Sequence, residues 1–85
     1  MQAETKSIAT PTEEALRAAS QLIAELVGVP VAGVASDHRL IDDLAMDSLE
    51  VIELAMALEE RWGVTIDESQ LKQLRRVSDV ALLLT

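Results

Sequence analysis

The chain has 85 residues, enough for one small domain with a modest core. Hydrophobic residues make up 49%, but Trp62 is the sole aromatic and cysteine is absent. This leaves a core of Leu, Ile, Val, Ala and Met and excludes a disulfide framework, a thiolate metal site and a cysteine nucleophile. A net charge of −8 argues against nucleic acid as a partner and favours basic protein surfaces.

Residues 1–9, "MQAETKSIA", hold too little apolar content to pack and read as a flexible tail ahead of a domain over 10–85. They include no apolar signal-peptide core, and no run of about 18 apolar residues occurs anywhere. The expectation is a free-standing, soluble, cytoplasmic monomer without membrane insertion. "TPTE" then marks a helix start, with Thr10 as N-cap, Pro11 at the first helical position and Glu13 three residues after the cap. Leu16, Ala19, Leu22, Ile23, Leu26 and Val27 recur at helical spacing until "GVP", which predicts a first helix over 11–27.

From 28 to 47 no long periodic segment occurs. Val29, Val31, Val34, Leu40, Ile41 and Leu44 are nonetheless too apolar for a free linker, so the segment reads as a long loop packed on the core, with room for a short helix inside it. A second helix is predicted over 48–62. Val51, Leu54, Ala55, Leu58 and Trp62 share its core face, while Leu49, Ile52 and Met56 fall on the opposite side among Glu53 and Glu60. That second apolar stripe is either covered by the loop and a third helix or left bare for a partner. Gly63 ends the helix. Asp67, with Gln70 in the capping-box position, predicts a short third helix over 67–74, and Ser78 or Asp79 caps a last one through "VALLL". The expected fold is all-α, a small four-helix bundle with a long first loop and a short third helix.

Charge is concentrated around the second helix. Between residues 37 and 60 stand eight acids, Asp37, Asp42, Asp43, Asp47, Glu50, Glu53, Glu59 and Glu60, against Arg39 alone. A basic partner would meet this stretch first. Within it lies Ser48, at a helix start where backbone N–H groups lack partners and the dipole favours an anion. Ser48, or Asp47 beside it, suits an ordinary N-cap; a phosphate ester on Ser48 would also sit favourably. Position alone leaves both readings open. Asp37, His38 and Ser48 are the residue types of a hydrolase triad, but no G-x-S-x-G elbow accompanies them. The aspartates do not meet the spacing of a calcium loop.

The segment "LIDDLAMDSLEVIELAMALEERWGVTID" resembles the central region of acyl carrier proteins, with Asp-Ser-Leu opening the second helix and an acidic helix ending in Glu-Glu-x-aromatic. The resemblance extends from "LRAASQLIAELVGV" through "VSDVALLL". It implies that Ser48 accepts 4′-phosphopantetheine covalently from coenzyme A through a Mg²⁺-dependent phosphopantetheinyl transferase, with Asp47 and Leu49 as motif neighbours. It further implies that Leu49, Ile52, Glu53, Met56, Glu59 and Glu60 dock on basic and apolar patches of acyl ligases, synthases and transferases. The chain would then be a non-catalytic carrier that presents acyl cargo as a thioester. An aminoacyl or peptidyl carrier would share the fold and arm, but its usual Gly-Gly before x-Ser is missing. An acidic helical adaptor, with Ser48 as a mere cap, is the rival from another class.

Three features depart from the resembled pattern. Ala45 stands where glycine is usual, which costs on the order of 1 kcal/mol if the backbone there needs a positive φ. Trp62 replaces the commoner Phe and is expected in the same core position. Lys72, Arg75 and Arg76 form a basic cluster where fatty-acid carriers are mostly acidic or neutral. They serve either to compensate the dipole at the end of helix three or as a partner surface of a specialised lipid or polyketide carrier.

Overall fold

The computed structural model describes residues 11–85, so the expected tail over 1–9 and Thr10 lie outside the described residues. Among the described residues four helices follow one another, α1 (Glu13–Val27), α2 (Ser48–Trp62), α3 (Glu68–Lys72) and α4 (Val77–Leu83), with one 3₁₀ turn, Val31–Gly33, in the long first loop. The architecture is the small all-α bundle expected from the sequence. α1 packs on α4, α2 and the 3₁₀ turn.

Local chemistry sets most of the boundaries. α1 begins two residues later than expected: Thr12 is the N-cap, its Oγ1 accepting from the Ala15 N–H at 3.1 Å, and Pro11 stands outside the helix. Gly28, with φ 76°, ends α1, and Gly63, with φ 68°, ends α2, each in the left-handed region that a side chain disfavours. α3 is capped by Asp67, whose Oδ1 accepts from Gln70 N–H while Gln70 answers back to Asp67 N–H. It ends at Lys72, before the expected residue 74. α4 starts at Val77, ahead of both proposed caps. Asp79 stabilises that start from inside the first turn, its Oδ2 accepting from the Arg76 N–H at 2.8 Å and the Arg75 N–H at 3.2 Å.

The core is aliphatic: Leu22 and Ile23 from α1, Leu54 and Leu58 from α2, and Val77 and Val80 from α4 are buried, with Leu40 and Met46 from the first loop. Each such side chain contributes on the order of 1.5–3 kcal/mol by leaving water. Trp62 does not join them. Its helical phase points it inward, but it is the last residue of α2 and stays 39% exposed, because phase sets direction and not depth of cover.

The first loop is pinned by its backbone rather than by the valines that made it look packed. Val34 and Leu40 are buried, whereas Val29, Val31 and Ile41 are exposed. Leu40 N–H donates to Arg75 O at 2.8 Å, Val77 N–H to His38 O at 3.1 Å and Ser78 N–H to Ser36 O at 2.9 Å. These bonds tie residues 36–40 to the start of α4 in a short antiparallel pairing around Arg39 and Arg76. The loop thus reaches Ser48 from a fixed anchor.

Candidate functional site

Two devices deliver the chain to Ser48. The first is a closed turn: Met46 N–H donates to Leu40 O at 2.9 Å, and the Met46 side chain is sunk in the core at 1% exposure. Between those ends, Arg39 N–H donates to Asp43 Oδ2 at 2.7 Å, and the Arg39 guanidinium lies 3.6 Å from the same oxygen. That backbone hydrogen bond, aided by the Arg39 charge, holds the Asp43 carboxyl below its ordinary value of 3.8. The second device is Ala45, which adopts φ 59° and is, among the described residues, the one non-glycine in the left-handed region. The condition attached to the missing glycine is therefore met. Met46 as an anchor was not foreseen, although it is the single large apolar residue between Leu44 and Asp47.

The cap of α2 comes from Asp47 and not from Ser48. Asp47 is the N-cap: its Oδ1 accepts from Glu50 N–H at 2.8 Å, and Glu50 Oε1 accepts from Asp47 N–H at 3.0 Å. This capping box satisfies the Asp47 and Glu50 amides without Ser48. Ser48 is the first helical residue, exposed, and among the described residues its hydroxyl makes no hydrogen bond. Its own N–H and that of Leu49 likewise have no partner among the described residues, so two amides at the positive end of α2 stay open to an anion.

Along α2 from Ser48, Leu49, Ile52, Glu53, Met56 and Glu60 form one continuous surface stripe at helical spacing. The apolar members are bare: Leu49 is 64%, Met56 59% and Ile52 43% exposed. Cover by the loop or the third helix is thereby excluded. Glu53 and Glu60 are exposed beside them, whereas Glu59 is half-buried, with Oε2 accepting from Ile66 N–H at 2.8 Å. Glu59 braces the segment after α2 as well as adding charge to its edge.

The residue types of a triad are not assembled. His38 Nδ1 accepts from Ala35 N–H at 3.0 Å, and among the described residues no hydrogen bond links His38 to Ser48 or to the Asp37 carboxylate. The site offers an accessible hydroxyl, an anion-favouring helix end and an apolar stripe rimmed by carboxylates. A phosphodiester fits there, since the cap is made elsewhere and the helix end is open. Among the described residues, no helix is long and apolar enough to cross a membrane.

These features define a small helical domain built around an exposed serine. Residues 17–84 match the family described as "Phosphopantetheine attachment site". The chain is 41% identical over 68 residues to an acyl carrier protein of Thermobifida fusca (strain YX), covering 80% of this chain and 86% of that one. It is 36% identical over 72 residues to an acyl carrier protein of Acidothermus cellulolyticus, covering 85% and 86%. It is also 34% identical over 73 residues to a meromycolate extension acyl carrier protein of Mycolicibacterium smegmatis, covering 86% and 74%. The chain belongs to the acyl carrier protein family, whose cofactor is phosphopantetheine.

Proposed function

We propose that Ser48 is the attachment residue and that the protein presents acyl groups to a succession of enzymes without catalysing a reaction itself. The observation that carries this reading is the free, exposed Ser48 hydroxyl at the first position of α2, with the cap supplied by Asp47. In the loading step the Ser48 oxygen forms a bond to the phosphorus that carries pantetheine in coenzyme A, the pyrophosphate linkage breaks, adenosine bisphosphate leaves and the serine proton is released. The arm supplies the thiol that this cysteine-free chain lacks, and acyl cargo rides on it as a thioester.

Leu49, Ile52 and Met56 are then docking anchors, and Glu53, Glu60 and the outer edge of Glu59 steer basic partners onto them. Apolar anchors fix the pose, while exposed charges raise the rate of encounter more than they lengthen its life. Such contacts let a carrier leave each enzyme it visits. The partners are a phosphopantetheinyl transferase and acyl ligases, synthases and transferases with basic patches, met by a monomer in the cytoplasm. A specialised lipid or polyketide pathway is favoured by the cationic Lys72, Arg75 and Arg76, and by a relative named for meromycolate extension.

The test is an intact mass after incubation with coenzyme A, Mg²⁺ and a phosphopantetheinyl transferase, followed by peptide mapping. One added phosphopantetheine on Ser48, absent from a folded Ser48→Ala protein, is the expected result. A folded protein that stays unmodified while a control carrier is loaded, even with the transferase of its own source, would leave an acidic adaptor.

A further inference from the structure

Of the seven Lys and Arg residues in this acidic chain, four line one groove: Arg39, Lys72, Arg75 and Arg76. Ile41, Leu74 and a single carboxylate, Asp42, complete its walls, and its volume of about 490 Å³ is that of a small-molecule site. One wall is the first loop and the other the connection from α3 to α4, zipped together by the Leu40 to Arg75 and Val77 to His38 backbone bonds. Arg39 is paired with Asp42 at 3.5 Å and Asp43 at 3.6 Å, and Arg76 Nη1 donates to Asp37 O at 3.4 Å. The side chains of Lys72 and Arg75 have no hydrogen bond or ion pair among the described residues.

Dipole compensation explains only Lys72, which stands in the last turn of α3. Arg75 and Arg76 precede α4, at the end of a helix where cations are unfavourable. Clustering cations there is a local electrostatic cost, which an anion in the groove would reverse.

The groove also lies close to Ser48. Ile41 follows Leu40, whose carbonyl holds Met46 N–H at 2.9 Å, and Ser48 comes two residues after Met46. Covalent geometry therefore keeps the Cα atoms of Ile41 and Ser48 within about 18 Å. An arm of phosphate, pantoate, β-alanine and cysteamine units is comparable to about five extended residues, about 17 Å. The far end of a group tethered to Ser48 can reach the cations.

We propose, resting on Ser48 as the attachment residue, that this groove receives the free carboxylate of a cargo that is the monothioester of a short dicarboxylic acid. Its methylenes lie along Ile41 and the edge of Leu74, and its carboxylate sits between Lys72 and Arg75 in charge-assisted hydrogen bonds. The groove is open to water, so the hold is modest and weakens with salt. A concave site within the arm's reach, with apolar and cationic walls side by side, suits a tethered amphipathic acid better than the broad face of an acidic protein.

The protein is loaded from glutaryl-coenzyme A and, in parallel, from pentanoyl-coenzyme A, with intact mass and peptide mapping confirming each product. Amide NMR spectra of the two are then compared. The expected result is a set of differences concentrated at residues 39–42 and 72–76 that shrinks with added salt and collapses in Lys72→Gln/Arg75→Gln, whose wild-type side chains make no bonds that the fold needs. Identical spectra in those segments, differences that survive in the double variant, or shifts that appear only with an acidic partner protein would overturn the proposal. A second arm removes the dependence on loading: Ser48→Ala protein is titrated with free glutaryl-pantetheine and pentanoyl-pantetheine. Binding of the glutaryl compound about tenfold tighter than in the double variant supports the groove, and no preference over pentanoyl overturns it. A missing mass gain in the first arm counts against Ser48 alone.

Discussion

Along α2, Val51, Leu54, Ala55 and Leu58 lie against the bundle, while Leu49, Ile52 and Met56, half a turn round the same helix, face solvent. The two stripes have similar composition, and both recur at helical spacing. What separates them is the cover that the rest of the chain provides. α1 packs over one side and α4 packs on α1; the first loop, which could have closed over the other, is instead tied to the start of α4 by the Leu40, Val77 and Ser78 amides. An apolar stripe left bare costs solubility without stabilising the fold, which supports the docking role proposed for it. Core and proposed docking surface share one helix, and their substitutions are expected to separate by what they damage.

The largest effect belongs to the inner stripe. Leu54→Ala removes a fully buried side chain from the core cluster it shares with Ile23 and Leu58 and is expected to cost about 2–5 kcal/mol, read from urea or thermal unfolding. Because small domains shift by about 4–8 °C per kcal/mol, the loss in Tm should be plain. A cost below about 1 kcal/mol would mean that the bundle collapses into the space, and the two stripes would then differ less than their exposures suggest.

The ends of α2 were legible because their signals are local. Asp47 with Glu50, and Gly63, announce the helix without help from the rest of the fold. The start of α1 was misplaced because "TPT" offers two threonines, and only the bond to Ala15 chooses Thr12. The start of α4 was missed because its stabilising carboxylate, Asp79, reaches back from the third helical position. Ser48 as a candidate was visible, but its freedom from capping depends on a reciprocal bond between neighbours that composition does not reveal. Glu53, Glu59 and Glu60 read as equivalent in the sequence, yet Glu59 is partly spent on Ile66. Lys72, Arg75 and Arg76 were legible as a basic cluster, but the groove they form with Arg39 was hidden, since Arg39 is far from them in the chain and meets them only through backbone pairing.

Ala45 allows a smaller test, in the turn that sets the start of α2. A left-handed alanine carries a steric cost of about 1–2 kcal/mol, and glycine gives part of the relief back through the entropy of its unfolded state. Ala45→Gly is accordingly expected to raise stability by about 0.5–1 kcal/mol, measured as a rise in the urea midpoint at unchanged slope. A drop would show that the methyl group is used in a way that φ 59° does not reveal.

The smallest change in stability, and the sharpest contrast with Leu54, is expected from Leu49→Ala combined with Met56→Ala. Both side chains stand more than half in water, and alanine favours the helix slightly, so unfolding should move by no more than about 0.5 kcal/mol. If the outer stripe exists to be gripped, the same variant should lose about tenfold in kcat/KM with a partner that docks on α2, which corresponds to about 1.4 kcal/mol of association. Glu53→Gln, also exposed on this stripe, should lower the same rate chiefly at low salt, because its charge acts on encounter rather than on the docked complex. Stability and docking would then be separate properties of one helix, divided by which side of it a residue occupies. A double variant that unfolds easily yet still docks normally would reverse that assignment, since the bare stripe would be supporting the fold and the partner would be gripping something else.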